Sequence, residues 1–200
     1  MTAQLMTFLI TYEGLEDKIW RKAQVSSLCR LDRLGYMVLA AFDTQACHLF
    51  AFEFEGRRYE LPDEDFEAED DLDFCLIRLN QLHMKPGDCL RMIYDFGLDQ
   101  VFHLVLVSEE AMPRGQGRSY PHLVDGAGRG ILDDVPTEML KMLIEQIDRS
   151  GRTYQPVYYG DDEKSWDYRT FNLEHEDRML KARIRWIAEG FEEDSEEYDE

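Results

Sequence analysis

The stretch Tyr94-Asp95-Phe96-Gly97-Leu98-Asp99-Gln100-Val101-Phe102-His103 gathers a phenol, two carboxylates and an imidazole within ten residues. A carboxylate beside an imidazole orients the ring and favours its charged form, which suits a polar binding pocket, a metal site or an acid–base pair. Strongly apolar segments flank the stretch, which puts Asp95 and His103 on neighbouring strands, where they could face each other; the sequence leaves open whether they and His48 converge. His48, directly ahead of an aromatic segment, is the second imidazole of interest. With Asp95 and His103 it would complete a two-histidine, one-carboxylate set suited to a divalent metal. The competing reading is a hairpin corner whose aspartates serve the turn and whose histidine bonds to backbone.

A second candidate is the loop Tyr120 to Gly130. Gly126, Gly128 and Gly130 stand at every second position around Arg129. Such spacing frees the backbone to approach a ligand, and a guanidinium can pair with an anion. The sequence matches neither the dinucleotide-binding nor the phosphate-loop pattern, so a structured loop is the rival reading. Near the C-terminus Arg178, Lys181 and Arg185 share a helical face. Glu174 and Asp177 lie four residues ahead of Arg178 and Lys181, in the favourable direction for helix ion pairs, which favours a self-paired solvated face.

No serine or cysteine occupies a nucleophile elbow, and neither a zinc-protease helix motif nor a calcium loop occurs. No catalytic residue, cofactor or metal is therefore assigned. Cys29, Cys47, Cys75 and Cys89 are spaced singly, without the paired thiolates of a structural zinc site.

The elements that must position these groups follow from composition. At 200 residues with 44% hydrophobic content the chain has the material for one domain with its own core. The net charge of −20 is concentrated: eight of eleven residues from Asp63 to Asp73 are acidic, as are eight of twelve from Glu189 to Glu200. Without those two segments the remainder is about −4, an ordinary surface charge. They read as a solubilising loop and tail, and the overall sign opposes direct nucleic-acid binding, which rests on neutralising phosphates. The first twelve residues carry no secretory pattern and no apolar run approaches membrane-spanning length, so a cytoplasmic protein with reduced thiols is expected.

Gln4–Tyr12 and Lys18–Val25 read as strands. A helix follows with Leu28, Leu31, Leu34, Val38 and Phe42 on one face, and Ser26 or Ser27 can cap it. His48–Phe54 aligns Phe50, Phe52 and Phe54 on one side of a strand, and Arg58–Leu61 returns as its hairpin partner. Phe74–Leu82 fits a short helix or a strand. Cys89–Phe96 and Val101–Val107 are the clearest later strands, and Val101–Val107 is apolar on both faces, as a central strand is. Residues 109–134 read as loop. Pro136 opens a helix carrying Leu140, Leu143, Ile144 and Ile147, and a last helix runs from about Asn172 to Phe191. Strands early and helices late predict an α+β fold, a mainly antiparallel sheet packed with helices. One domain over residues 1–190 is expected, with residues 191–200 a flexible, disordered acidic tail.

The landmarks together resemble the plasmid pRiA4b Orf-3-like family, some of whose members are labelled transposon passenger proteins. The matching pieces are Ile19-Trp20-Arg21-Lys22 with Val25, His48-Leu49-Phe50 with Phe52 and Gly56, Tyr59, Tyr94-Asp95-Phe96-Gly97 ahead of His103, then Tyr120-Pro121 and Gly126. They span about residues 5–135, with a helical part over about 136–190. Leu98 intervenes before Asp99, Phe50 stands where the family has a second histidine, and Ile131-Leu132-Asp133-Asp134 replaces its usual Pro-Pro-Glu-Asp. The resemblance implies an α+β domain, a cytoplasmic setting and an association with mobile-element or plasmid DNA processes. The expected function is a non-catalytic binding domain for a protein partner, acting through a cleft of His48, Tyr94, Asp95, Asp99 and His103 or through its acidic segments. The alternative is a metal-dependent enzyme built on the same His/Asp cluster.

Overall fold

Alternating apolar residues build one sheet whose inner face is buried. A computed structural model of the chain describes residues 3–61, 72–154 and 166–197. The strands are β1 (Gln4–Tyr12), β2 (Trp20–Ser26), β3 (Phe50–Phe54), β4 (Arg57–Glu60), β5 (Leu72–Asp73), β6 (Cys89–Tyr94), β7 (Gln100–Ala111) and β8 (His122–Ala127). The helices are α1 (Leu31–Ala41), α2 (Thr137–Ser150) and α3 (Leu173–Glu197). The eight strands form one sheet in the order β5-β4-β3-β6-β7-β1-β2-β8. Every pairing is antiparallel except that of β4 with β5. The fold is α+β, and β7 is central, between β6 and β1.

One face of the sheet carries Phe8, Ile10, Tyr12, Phe50, Phe52, Met92, Tyr94, Phe102 and Leu104, all buried. Helix α1 lies on that face, with every residue but Arg33 buried. Gly35 permits the approach, since a β-carbon there would sit 2.0 Å from the ring of Phe50. Helix α3 packs against α1 and also reaches the sheet: Phe191 stacks on Tyr36 at 5.2 Å and meets Phe50 edge-on at 5.7 Å. Asp177 of α3 also accepts the Leu123 backbone N–H at 2.7 Å, tying the helix to β8. The opposite sheet face is half-exposed and carries Lys22, Glu53, Arg91 and His103.

The structure departs from expectation in several places. Helix α1 starts at Leu31 behind Arg30, with no side-chain cap. Ser27 instead accepts the Gln4 backbone N–H on its hydroxyl at 2.9 Å and donates its own N–H to the Gln4 carbonyl at 2.8 Å, closing the end of the β1–β2 pair. Residues 74–82 form neither a strand nor an α-helix; they make turns and a 3-10 turn over Leu79–Gln81. Residues 122–127, expected as loop, form β8. Helix α3 continues to Glu197, past the expected end at Phe191. Residues 62–71, most of the acidic run, and 198–200 lie outside the described residues. Among the described residues no helix is long and apolar enough to cross a membrane.

Candidate functional site

Pairing of β3 with β6 sets Phe50 against Tyr94, and the Asp95 N–H extends the ladder to the Leu49 carbonyl at 3.0 Å. His48 and Asp95 therefore meet where the two strands end. The His48 ring stands edge-on to Tyr94 at 5.8 Å, and its Nε2 lies 3.7 Å from Asp95 Oδ2. Asp95 has a left-handed backbone, φ 56°, and its Oδ1 accepts the Gly97 N–H at 3.0 Å. That bond leaves Oδ2 facing the imidazole.

The loop between β8 and α2 brings two more carboxylates. Asp134 Oδ1 lies 2.9 Å from His48 Nε2. Asp133, buried, accepts the Tyr94 hydroxyl at 2.6 Å on Oδ1 and the Gln45 N–H at 2.7 Å on Oδ2. It thus clamps the 44–48 loop to the end of β6. Burial pushes the Asp133 carboxyl above its ordinary value, against its hydrogen bonds from Tyr94 and Gln45. Burial, reinforced by Asp133, also drives the Tyr94 phenol far up, so Tyr94 stays neutral and donates. Cys47 completes the group, and its thiol is likewise raised, first by burial and then by Asp133 and Asp134. The ligand atoms of Cys47, His48 and Asp134 all lie within 4.8 Å of one another.

A raised carboxyl favours folding in its protonated form. Its contribution is fully present below the unfolded value near 4 and fades as pH rises through the folded value. Urea unfolding should therefore show wild type gaining stability relative to Asp133→Asn as pH falls from 7 towards about 4. A difference independent of pH would mean that Asp133 titrates as a solvated carboxylate does.

The expected set divides. His48, Tyr94 and Asp95 come together, whereas His103 does not join them. In the β6–β7 register Tyr94 faces Gln100 and His103 faces Arg91, which puts His103 on the outer face of the sheet. Asp95 and His103 are therefore not cross-strand neighbours. His103 Nε2 instead meets Glu13 Oε2 at 2.8 Å, and Nδ1 lies 3.8 Å from Cys89 Sγ. A thiol, imidazole and carboxylate in a row suggest nucleophilic chemistry, but burial pushes the Cys89 thiol up, which opposes the thiolate that such chemistry needs. Asp99, exposed with φ 48°, serves the turn: its N–H donates to the Asp95 carbonyl at 2.7 Å.

The glycine loop has another use than anion binding. Gly126 belongs to β8, and a β-carbon at Gly128 or Gly130 would come within 2.3 Å of the Lys18 carbonyl oxygen or 2.1 Å of that of Phe42. The glycines admit the protein's own backbone. Arg129 pairs with Asp43 at 3.3 Å. The cation at the centre of this region is Arg21, 0% exposed, held between the rings of Phe42 and Phe171 at 5.0 and 4.4 Å. It donates to the carbonyls of Trp20, Ala41, Ala127 and Arg129 at 2.7–2.9 Å. Burial lowers its pKa to about 10.

Sequence reasoning missed Cys47, Asp133 and Asp134 as site residues. The one signal was that Asp133-Asp134 stands where the resembled family carries Glu-Asp.

An antiparallel-dominated sheet with helices packed against one face, and a polar cluster where β3 and β6 end, defines an α+β domain. The sequence matches the model for the plasmid pRiA4b ORF-3-like protein family over residues 4–175, and the chain belongs to that family. The match extends beyond the 5–135 span of the motifs and takes in α2 and the start of α3. A crystal structure of MM3350, a protein of unknown function from Methanosarcina mazei Go1, shares the fold with a TM-score of 0.69 at 17% identity. The alignment covers 87% of this chain and 97% of that one. No protein of curated function matches the sequence.

Proposed function

We propose that this protein is a non-catalytic, cytoplasmic binding domain whose partner is held in the cleft over His48, Asp95 and Asp134. The observation that carries the reading is one imidazole bracketed by carboxylates from two different loops, at 2.9 and 3.7 Å. Three carboxyl groups gather there in a chain of net charge −20, so the cleft suits a cationic group. Leu49 and Phe96, next in sequence to His48 and Asp95, are 54% and 42% exposed, with Arg58 over the Phe96 ring at 4.9 Å. A basic protein segment with an apolar neighbour fits both features, and the family's plasmid association makes a partner in plasmid or mobile-element DNA processes the reading we favour. The acidic balance speaks against direct contact with nucleic acid.

Affinity capture on wild-type protein, Asp95→Asn/Asp134→Asn and His103→Ala, read by mass spectrometry, tests the proposal. Partners should be lost from the double variant and kept by His103→Ala. The same partners on all three baits would exclude the cleft as the binding surface.

The enzyme alternative called for His48, Asp95 and His103 together. With His103 on the outer face, support for a metal at this site has to come from other donors.

A further inference from the structure

We infer that Cys47, His48 and Asp134, with Asp95 as fourth donor, form a site for one divalent transition-metal ion of the zinc class. The inference rests on the cleft reading above and deepens it. The donors are a thiol sulfur, an imidazole nitrogen and two carboxylate oxygens, drawn from the 44–49 segment, the 95–99 turn and the loop ahead of α2. In a tetrahedral site with bonds of about 2.0–2.3 Å, neighbouring ligand atoms stand roughly 3.3–3.6 Å apart. His48 Nε2 lies 2.9 Å from Asp134 and 3.7 Å from Asp95, which brackets that spacing. The Cys47, His48 and Asp134 ligand atoms all fall within 4.8 Å of one another, so three donors already converge, and Asp95 approaches the set from the His48 side.

The surroundings are built to hold those ligands in place. Asp95 has one oxygen fixed by the Gly97 N–H, leaving the other for the ion. Asp133 uses both oxygens, on the Tyr94 hydroxyl and the Gln45 N–H, and so fixes the chain just ahead of Cys47 and just behind Asp134. Partners of this kind orient metal ligands. Ala46, Asp95 and Asp134 all have left-handed backbones, with φ of 55°, 56° and 59°, a cost that clusters at functional sites. Coordination itself displaces the Cys47 proton to solvent despite the raised thiol, and a metal-bound thiolate selects zinc or cobalt over magnesium or calcium. Four protein donors leave no open position, so the ion closes three loops over the cleft and is not placed to activate water.

Cobalt(II) titrated into the reduced, metal-stripped full chain tests this, because a cobalt–thiolate bond gives a charge-transfer band in the near ultraviolet. One equivalent should be taken up, displaced by zinc, with a rise in melting temperature. Cys47→Ser should abolish the band, and His48→Gln and Asp134→Asn should each weaken uptake at least about tenfold. Tyr94→Phe, which removes only the hydroxyl that braces Asp133 and meets the Cys47 thiol, should weaken it roughly tenfold. Cys89→Ser and His103→Ala should bind as wild type does. All are compared with wild type by melting without metal, to separate lost ligands from lost structure. A band that survives Cys47→Ser, or uptake without a one-equivalent end point, overturns the inference. Absent uptake together with partner loss in Asp95→Asn/Asp134→Asn sinks the metal and leaves the cleft standing. Stoichiometric uptake with unchanged partners does the reverse.

Discussion

Arg21→Met should lower the stability of this protein by about 3–5 kcal/mol, the cost of several buried carbonyls left without a donor less the desolvation that the lost charge no longer incurs. Methionine fills a similar volume, so the loss isolates the guanidinium. Four backbone carbonyls, of Trp20, Ala41, Ala127 and Arg129, lose a charged donor at once. The faces of Phe42 and Phe171 lose the cation between them. Arg21→Lys should recover little, since one ammonium has three donors on a single nitrogen and cannot span carbonyls arranged around a planar fork. Desolvation works the other way, as the lowered pKa of about 10 records. Urea unfolding decides the balance. A methionine variant as stable as wild type would mean that desolvation cancels the four bonds.

The second large effect lies in the glycine loop. Gly128→Ala and Gly130→Ala should each lose about 2–4 kcal/mol, from a left-handed or disfavoured backbone and from forced backbone shifts. At Gly128, φ is 74° and the new carbon would meet the Lys18 carbonyl oxygen at 2.3 Å. At Gly130, φ is 151° and it would meet that of Phe42 at 2.1 Å. Backbone atoms cannot swing aside as a flexible side chain can. Phosphate should not raise the wild-type melting temperature, because these glycines and Arg129 already face protein. Variants as stable as wild type, with a phosphate-dependent rise in melting temperature, would restore the anion-loop reading.

The same residues show how far the sequence could be read. The aromatic alternation Phe50, Phe52, Phe54 and the apolar runs of β1, β6 and β7 made most of the sheet legible, since burial on one face imposes a period of two. Strand β8 was hidden. Asp125, Gly126 and the glycines beyond it have loop composition, and pairing with β2, with Asp177 of α3 on Leu123, holds the segment extended. His48 and Asp95 were legible as candidates because each sits beside a clear strand. His103 was misplaced by parity: the Asp95–Asp99 turn sets Tyr94 against Gln100, and a register shifted by one residue would have turned His103 inward. Asp133 and Asp134 reach the site through the return path of the chain after β8, which no local pattern encodes. Arg21 looked like an ordinary strand residue, since nothing nearby in sequence indicates which carbonyls will surround it.

The arrangement around Arg21 also bears on the order in which the chain can fold. Its acceptors at Ala127 and Arg129 lie 106 and 108 residues further along. On a growing chain the β1–β2 hairpin emerges long before those carbonyls exist, and until they arrive the guanidinium keeps its hydration. The N-terminal hairpin and α1 therefore cannot reach their final packing early. Closure waits for a contact of long sequence separation, the kind that slows folding, and couples the first strands of the sheet to the last in a single cooperative step.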